Sequence, residues 1–171
     1  MKKILTILTG ITLFTGLAVA QKYAFVDTEY ILNNIPSYKA AQEQLDKTSD
    51  EWQKEVESQY AEIEKMYKDY QAEKVLLTDD MRRNREDEII NKEKAVKDLQ
   101  KKYFGQEGAL FKKRQELIKP IQDDIYQAVK DIATENGYAV IFDTSSGPTM
   151  LYFNPRYDVS DEVLQKLGYK N

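Results

Sequence analysis

The chain contains no cysteine and no histidine among its 171 residues. Without cysteine the protein forms no disulfide bond and carries no bacterial lipoprotein anchor, because that anchor is attached through a cysteine. Without histidine it lacks the commonest metal ligand and the commonest general base of enzymes. These absences exclude most metal and nucleophilic chemistry, and we expect neither a metal nor another cofactor.

Other signatures of an enzyme are missing as well. The sequence has no glycine-rich phosphate loop and no serine in a recognisable nucleophile turn, so only carboxylate or lysine chemistry would remain. Asp123 and Asp124 form the one acidic pair in a helix that could be buried, and a solvent-facing edge is the simpler interpretation. Acidic side chains outnumber basic ones by 29 to 25, which argues against nucleic acid as the main ligand. We therefore expect a protein that is not an enzyme.

Residues 1–20 have the pattern of a secretory signal peptide. Lys2 and Lys3 give a positive start, an apolar run covers residues 4–17, and small residues lead to Ala20. This order is typical of export signals. The apolar run is shorter than the roughly 20 residues that span a bilayer, so cleavage near Ala20 is expected, with retention as a membrane anchor as the alternative.

Proline is scarce, and only Pro120 occurs between residues 37 and 136. This stretch mixes Lys and Glu throughout, and its apolar residues recur at steps of three, four or seven, as in Leu45, Trp52 and Val56. The pattern predicts a helix of about forty residues, roughly 60 Å long, followed by a turn near residues 76–80 and a return helix. The sequence therefore predicts an antiparallel, coiled-coil-like hairpin over residues 37–119.

The predicted hairpin has weak points. Four polar residues occupy positions where a tight coiled coil would have Leu or Ile, namely Gln42, Ser49, Gln59 and Glu73. They favour an arm that packs against its own return helix over a rigid multi-stranded rod. Gly105 and Gly108 disfavour the return helix, and Pro120 removes a helical hydrogen bond. We interpret the glycines as a soft point and Pro120 as a kink beside the body, and tolerated local defects are the alternative.

Residues 21–36 and 120–171 predict a small β-containing body. The expected elements are a strand at 23–27, a helix at 29–33 capped by Thr28, strands at 138–143 and 150–153 around a loop at 144–148, and a helix at 161–167 capped by Ser160 and closed by Gly168. Without the helix that runs to residue 136, the body has only residues 21–36 and 137–171, about fifty in all, which rarely bury a sufficient core without disulfides or metal. We therefore expect strands from several chains to complete one sheet or barrel.

Several segments of the chain match one known pattern. They are YAFVDTEYILN at 23–33, LIKPI at 117–121, NGYAVIFD at 136–143, LYFNP at 151–155 and DVSDEVL at 158–164. With the signal peptide and the charged hairpin, they resemble the Skp/OmpH family of periplasmic chaperones over essentially the whole mature chain. The resemblance implies a predominantly α, α+β fold and a homotrimer whose strands form a small barrel with three arms around a cavity. It further implies a periplasmic holdase that binds unfolded outer-membrane β-barrel proteins without ATP.

Aromatic and apolar residues of the arm are the candidate client contacts. A holdase offers many weak contacts, and tyrosine combines an apolar ring with a hydroxyl that can stay hydrated. The candidates are Tyr60, Tyr67, Tyr70 and Tyr103 along the arm, and Leu76, Leu77 and Met81 near its tip. The alternative is that these residues pack helix against helix, which is also the expectation for Trp52.

Charged residues at the tip and apolar residues of the strands complete the candidate sites. Arg82, Arg83 and Arg85 could meet acidic clients or anionic lipid head groups, but the surrounding acids favour a self-neutralising helix start. The residues expected to form the trimeric body are Phe25, Val26, Val140, Ile141, Phe142, Leu151 and Phe153. The alternative function is a trimeric coiled-coil structural or adaptor protein of the cell envelope, whose arms bind one folded partner.

Overall fold

The computed structural model describes residues 21–145 and 150–169, so the predicted signal peptide and residues 146–148 of the expected loop lie outside it. In chain order the elements are β1 (Lys22–Val26), α1 (Thr28–Asn33), α2 (Pro36–Glu73), α3 (Asp79–Phe104), α4 (Ala109–Asn136), β2 (Tyr138–Asp143), a 3-10 turn (Pro155–Tyr157) and α5 (Ser160–Lys166). The expected α+β, predominantly helical class is confirmed. Residues 32–126 form one compact unit, and the described residues before and after them form a second.

The first unit is an antiparallel hairpin of α2 and α3. Its core consists of Val56, Ile63 and Tyr70 from α2 and of Ile89 and Val96 from α3. These residues recur at steps of seven, which keeps one face of each helix turned toward the other. Complete burial of a Val or Ile side chain contributes about 1.5–3 kcal/mol, so this narrow seam is the main source of the hairpin's stability.

A second apolar cluster joins the first part of α2 to α4. Ala41, Leu45 and Ile118 are buried there, and half-buried side chains pack around them. The seam of α2 thus has two partners in succession, α4 along its N-terminal part and α3 along its C-terminal part. The predicted hairpin is confirmed, but its return arm consists of two helices.

The glycines at positions 105 and 108 explain why the return arm is divided. A Cβ on Gly105 would lie 2.4 Å from the carbonyl oxygen of Lys101, and one on Gly108 would lie 2.7 Å from that of Tyr103. Backbone segments approach too closely for any side chain, so the expected soft point is a defined turn of residues 105–108. Pro120 lies inside α4, which continues as a helix on both sides of it.

The turn at the hairpin tip follows the predicted chemistry. The Thr78 hydroxyl accepts a hydrogen bond from the backbone amide of Met81, which satisfies one free donor at the start of α3. Asp79 and Asp80 occupy the first turn of that helix, where negative charge interacts favourably with the helix dipole. The prediction of Thr78 as a cap is confirmed.

The second unit contains a two-stranded parallel sheet. β1 pairs with β2 in a register that places Ala24 beside Ile141 and Phe25 beside Phe142. The apolar residues buried in this unit are Ala24, Phe25, Val26, Ile31, Ala128, Ile132, Val159, Val163 and Leu164. As predicted, α4 ends at Asn136 and Gly137 follows it with a φ of 69°, a left-handed conformation that favours glycine.

The third predicted strand, at residues 150–153, does not form in the single chain. β1 pairs with β2 along one edge, and on its other edge the Phe25 carbonyl accepts a hydrogen bond from the Val159 amide at 2.9 Å. Both edges of β1 are therefore engaged, whereas the outer edge of β2 carries no strand, and residues 150–153 make no backbone hydrogen bond to either strand in the described part of the chain. Leu151 consequently stands 94% exposed and Tyr152 80% exposed.

Two predicted helix caps are wrong, because distant groups bind the hydroxyls concerned. Asp27, not Thr28, caps α1 by accepting from the Tyr30 amide at 2.9 Å, while the Thr28 hydroxyl donates to Asp143 at 2.7 Å. Ser160 is buried within α5. Its hydroxyl lies 2.6 Å from an Asp158 carboxylate oxygen and accepts from the Asp27 amide at 2.8 Å. These bonds tie β1 to β2 and to the C-terminal segment.

Candidate functional site on the helical hairpin

The four candidate tyrosines of the arm all donate hydrogen bonds across the hairpin. Tyr60 donates to Gln100 at 3.4 Å, Tyr67 to Glu93 at 2.9 Å, Tyr103 to Glu55 at 2.9 Å, and Tyr70 to Glu86. Three of the acceptors are carboxylates, and such charge-assisted bonds are stronger than neutral ones. The tyrosines therefore join the helices as well as offering ring surface.

Burial separates these tyrosines into two pairs. Tyr70 is 6% exposed in the hairpin core, and Tyr103 stacks on Trp52 with ring centroids 4.6 Å apart and an angle of 4° between the planes. Tyr60 and Tyr67 keep 41% and 42% of their surface exposed. Only the second pair presents ring surface freely along the arm.

The bonded carboxylates also raise the pKa values of the tyrosines. The hydrogen bond to Glu93 raises the pKa of Tyr67 above its ordinary value, since a phenolate cannot donate it, and loss of solvent adds to the effect. Hydrogen bonds to Glu86 and Glu55 raise the pKa of Tyr70 and Tyr103 in the same way. These hydroxyls are protonated at neutral pH in any tyrosine, and the raised pKa values keep them protonated donors to higher pH.

One polar residue of the seam has a specific partner. The ammonium of Lys92 lies 3.2 Å from the amide oxygen of Gln59 and 2.7 Å from the Glu62 carboxylate. The tyrosine bonds and this lysine form a polar ladder along the apolar seam. The sequence contained a signal for this ladder. In an antiparallel hairpin, residues later in α2 lie opposite residues earlier in α3, so the partners across the helices can be paired by their distance from the turn.

The hairpin tip exposes an apolar surface, which we call the tip patch and which consists of Val75, Leu76 and Met81. Their exposed fractions are 93%, 86% and 51%. Leu77, in contrast, is half-buried and packs against the hairpin core. Val75 was not among the predicted residues, although it precedes the same pair of leucines in the turn.

The tip arginines are largely neutralised by their neighbours. Arg82 lies 2.7 Å from Asp79, and Arg85 lies 3.2 Å from Glu88 and 4.0 Å from Glu73. Arg83 is exposed and has no ion-pair partner within 4.0 Å among the described residues. A single free guanidinium therefore remains beside the tip patch.

The residues predicted to form the trimeric body differ in burial. Phe25 and Val26 belong to the core of the single chain, whereas Ile141 and Phe153 are half-buried. Val140 and Phe142 are 47% and 46% exposed, and Leu151 is almost fully so. β2 thus carries an apolar sequence on a surface that this chain leaves uncovered.

No helix within residues 21–145 and 150–169 is both long and apolar enough to cross a bilayer. The same residues contain no group of three or more acidic side chains arranged to hold a metal ion.

Comparisons with known proteins agree with this geometry. A family described as "Outer membrane protein (OmpH-like)" matches residues 22–167. An uncharacterized protein of Aquifex aeolicus (strain VF5) is 26% identical, covering 98% of this chain and 96% of that protein. The chaperone protein Skp of Vibrio cholerae serotype O1 is 25% identical, covering 95% and 93%. The crystal structure of an OmpH-like protein of Caulobacter crescentus CB15 shares the fold, with a TM-score of 0.68 at 13% identity over 87% of this chain and 85% of that one.

Proposed function

Because the chain belongs to the OmpH-like family of outer membrane proteins, we propose that it is a periplasmic chaperone that holds unfolded outer-membrane β-barrel proteins without ATP. The similarity to a Skp chaperone over nearly the full length of both chains supports this function. Export by the predicted signal peptide would place the protein in the periplasm, where no nucleotide hydrolysis could drive release.

The observation that carries the proposal is the dispersed apolar surface of the hairpin. Tyr60 and Tyr67 expose ring surface along the arm, and the tip patch exposes three apolar side chains at its end. Many weak contacts spread along one arm suit an unfolded chain, because their combined effect retains a client that no single contact would hold. The cross-helix hydrogen bonds pre-orient the two rings, which reduces the entropy lost on binding.

Trimerisation is part of this proposal. Val140, Phe142 and Leu151 expose apolar surface on a body that has only about fifty residues besides the end of α4, which is small for a stable isolated domain. Further copies of the chain would cover that surface and bring three arms around one cavity. Of the tip arginines, Arg83 alone is free to contact an acidic client segment or an anionic lipid head group, so we assign the cluster a minor role.

An aggregation assay tests the proposed function. A denatured outer-membrane β-barrel protein is diluted into buffer without nucleotide, and light scattering is followed with and without the mature protein at near-stoichiometric ratio. We expect scattering to be suppressed. An adaptor that binds one folded partner would leave the scattering unchanged, and that result would refute the chaperone function.

The contacts are tested by alanine substitution at Tyr60, Tyr67, Val75, Leu76 and Met81 together. Each of these side chains is between 41% and 93% exposed and none lies in the hairpin core, so the variant should keep its helicity, as circular dichroism can check, while losing most of its protection of the client. The matched control replaces exposed polar residues of the same arm, such as Ser58, by alanine.

A further inference from the structure

The seam between the helices opens beside the glycine break. Gln42 and Ser49, two of the polar seam residues, lie there together with Gly105, around a cleft of about 450 Å³. A Leu or Ile at either seam position would occupy part of this space, and the glycine contributes no side chain to it. The cleft lies entirely within the hairpin unit, between its two apolar clusters.

The lining of the cleft is mainly apolar and also includes polar and charged side chains. Leu45, Phe104, Leu110 and Phe111 supply the walls, and Phe111 leaves 46% of its surface exposed. Clefts of this volume with apolar walls and a few polar groups are typical of binding sites for a small ligand or a single side chain. The cleft therefore has the size and character of a subsite.

The charge at the rim favours one kind of occupant. Asp46 accepts a hydrogen bond from the Gln42 amide at 2.9 Å, whereas Arg114 has no ion-pair partner within 4.0 Å in the described part of the chain. A free guanidinium beside apolar walls complements the electron-rich face of an aromatic ring. Phe104 and Phe111 can add ring-to-ring contacts. An aliphatic side chain would use the walls but not the guanidinium.

We propose that this cleft is a subsite for one aromatic side chain of an unfolded client segment. The inference rests on the proposed chaperone function and deepens it. Outer-membrane β-barrels carry girdles of aromatic residues at both membrane interfaces, so their unfolded chains bring such side chains at intervals along the sequence. The cleft would then favour these clients over aliphatic segments of equal length.

The variant Ser49→Leu tests the subsite without weakening the fold. Leucine at this seam position projects into the cleft and narrows it, and it adds an apolar heptad contact, so the hairpin should gain stability. Ser58→Leu is the matched control, because Ser58 is exposed on the same helix and lines no part of the cleft. Thermal unfolding verifies that both variants are folded.

The readout is the preference between two versions of one unfolded β-barrel segment, the natural one and one with every aromatic residue replaced by leucine. We expect the unsubstituted protein and Ser58→Leu to bind the aromatic version about three- to tenfold more tightly. Ser49→Leu should bind both versions equally, at the affinity that the unsubstituted protein has for the leucine version. An unchanged preference in Ser49→Leu would overturn the proposal.

A second measurement separates the subsite from the chaperone function. N-acetyl-tyrosinamide, titrated into the mature protein, should give saturable NMR shifts at the methyl groups of Leu45 and Leu110, and N-acetyl-leucinamide should not. Ser49→Leu should lose these shifts. Their absence from the unsubstituted protein would refute the subsite. If the shifts occur but neither polypeptide binds, the subsite stands and the proposed function fails.

Discussion

Replacing Val140 by aspartate should dissociate the proposed trimer. In the single chain Val140 is 47% exposed, so a carboxylate there meets water and costs about 0.5 kcal/mol or less. Where other copies cover this face of β2, the same charge is buried without a partner, at a cost of about 3–5 kcal/mol per chain. Since 1.4 kcal/mol is a factor of ten in an equilibrium constant, even the lower figure weakens each contact more than about 100-fold.

Light scattering at micromolar concentration measures the expected loss of mass, and circular dichroism checks that the hairpin helices remain. The control is Tyr169→Asp, because Tyr169 has a similar exposure of 45% and lies outside the sheet. It should leave the mass of the assembly unchanged. A monomeric mass for the unsubstituted protein, or an intact trimer of Val140→Asp, would show that this face is not the interface.

The hairpin was predictable because its signals are local. Leu45, Val56 and Ile63 recur at helical spacing, and Thr78 precedes two acids at the start of a helix. Local chemistry also places the end of α4 before Gly137, where no side chain hinders a left-handed turn. In each case the interaction that determines the structure lies within a few residues along the chain, or among apolar residues that repeat at a regular helical spacing.

The errors arose where a distant part of the chain decides the outcome. The Thr28 and Ser160 hydroxyls bind groups more than a hundred residues away, so their preference for capping a nearby helix is overridden. The segment at 150–153 has strand-forming residues but pairs with neither strand of its own chain, although the outer edge of β2 carries no strand among the described residues. The break at residues 105–108 depends on a close backbone approach, for which sequence gives only the presence of glycine.

The candidate contacts were predictable by residue type but not by role. The spacing of the tyrosines was compatible with two roles, an exposed client contact or a residue packed in the seam. Which role each tyrosine has depends on which residue of the return arm lies opposite it. Tyr70 faces the core while Tyr67, one turn earlier, keeps its ring surface in solvent. That distinction depends on the rotation of each helix about its own axis, which an imperfect heptad pattern does not define.

Three further predictions concern the arm. Single substitutions such as Tyr67→Ala or Leu76→Ala should weaken client binding by about 1 kcal/mol or less each, and loss of all binding from either one, in a titration with a folded variant, would contradict the dispersed-contact mechanism. Alkaline pH should loosen the hairpin, because the tyrosines with raised pKa stabilise the fold below their unfolded pKa of about 10 and lose that contribution as pH rises through the higher folded values. Denaturant melts at pH 8 and pH 11 should show this loss, and it should shrink when the three tyrosines are replaced by phenylalanine; an equal loss in that variant would exclude the tyrosine ladder as its cause. The double variant Gly105→Ala, Gly108→Ala should abolish the turn between α3 and α4, because each methyl group would overlap a backbone oxygen. The least strained alternative is a continuous helix, in which alanine is favoured over glycine by about 1 kcal/mol per position. Circular dichroism should then show higher helicity, and because the cleft beside the break is lost, the preference for aromatic clients should fall to that of Ser49→Leu. An intact turn in the double variant, seen as unchanged helicity and unchanged preference, would mean that neighbouring backbone can move aside and that the glycines do not maintain the break.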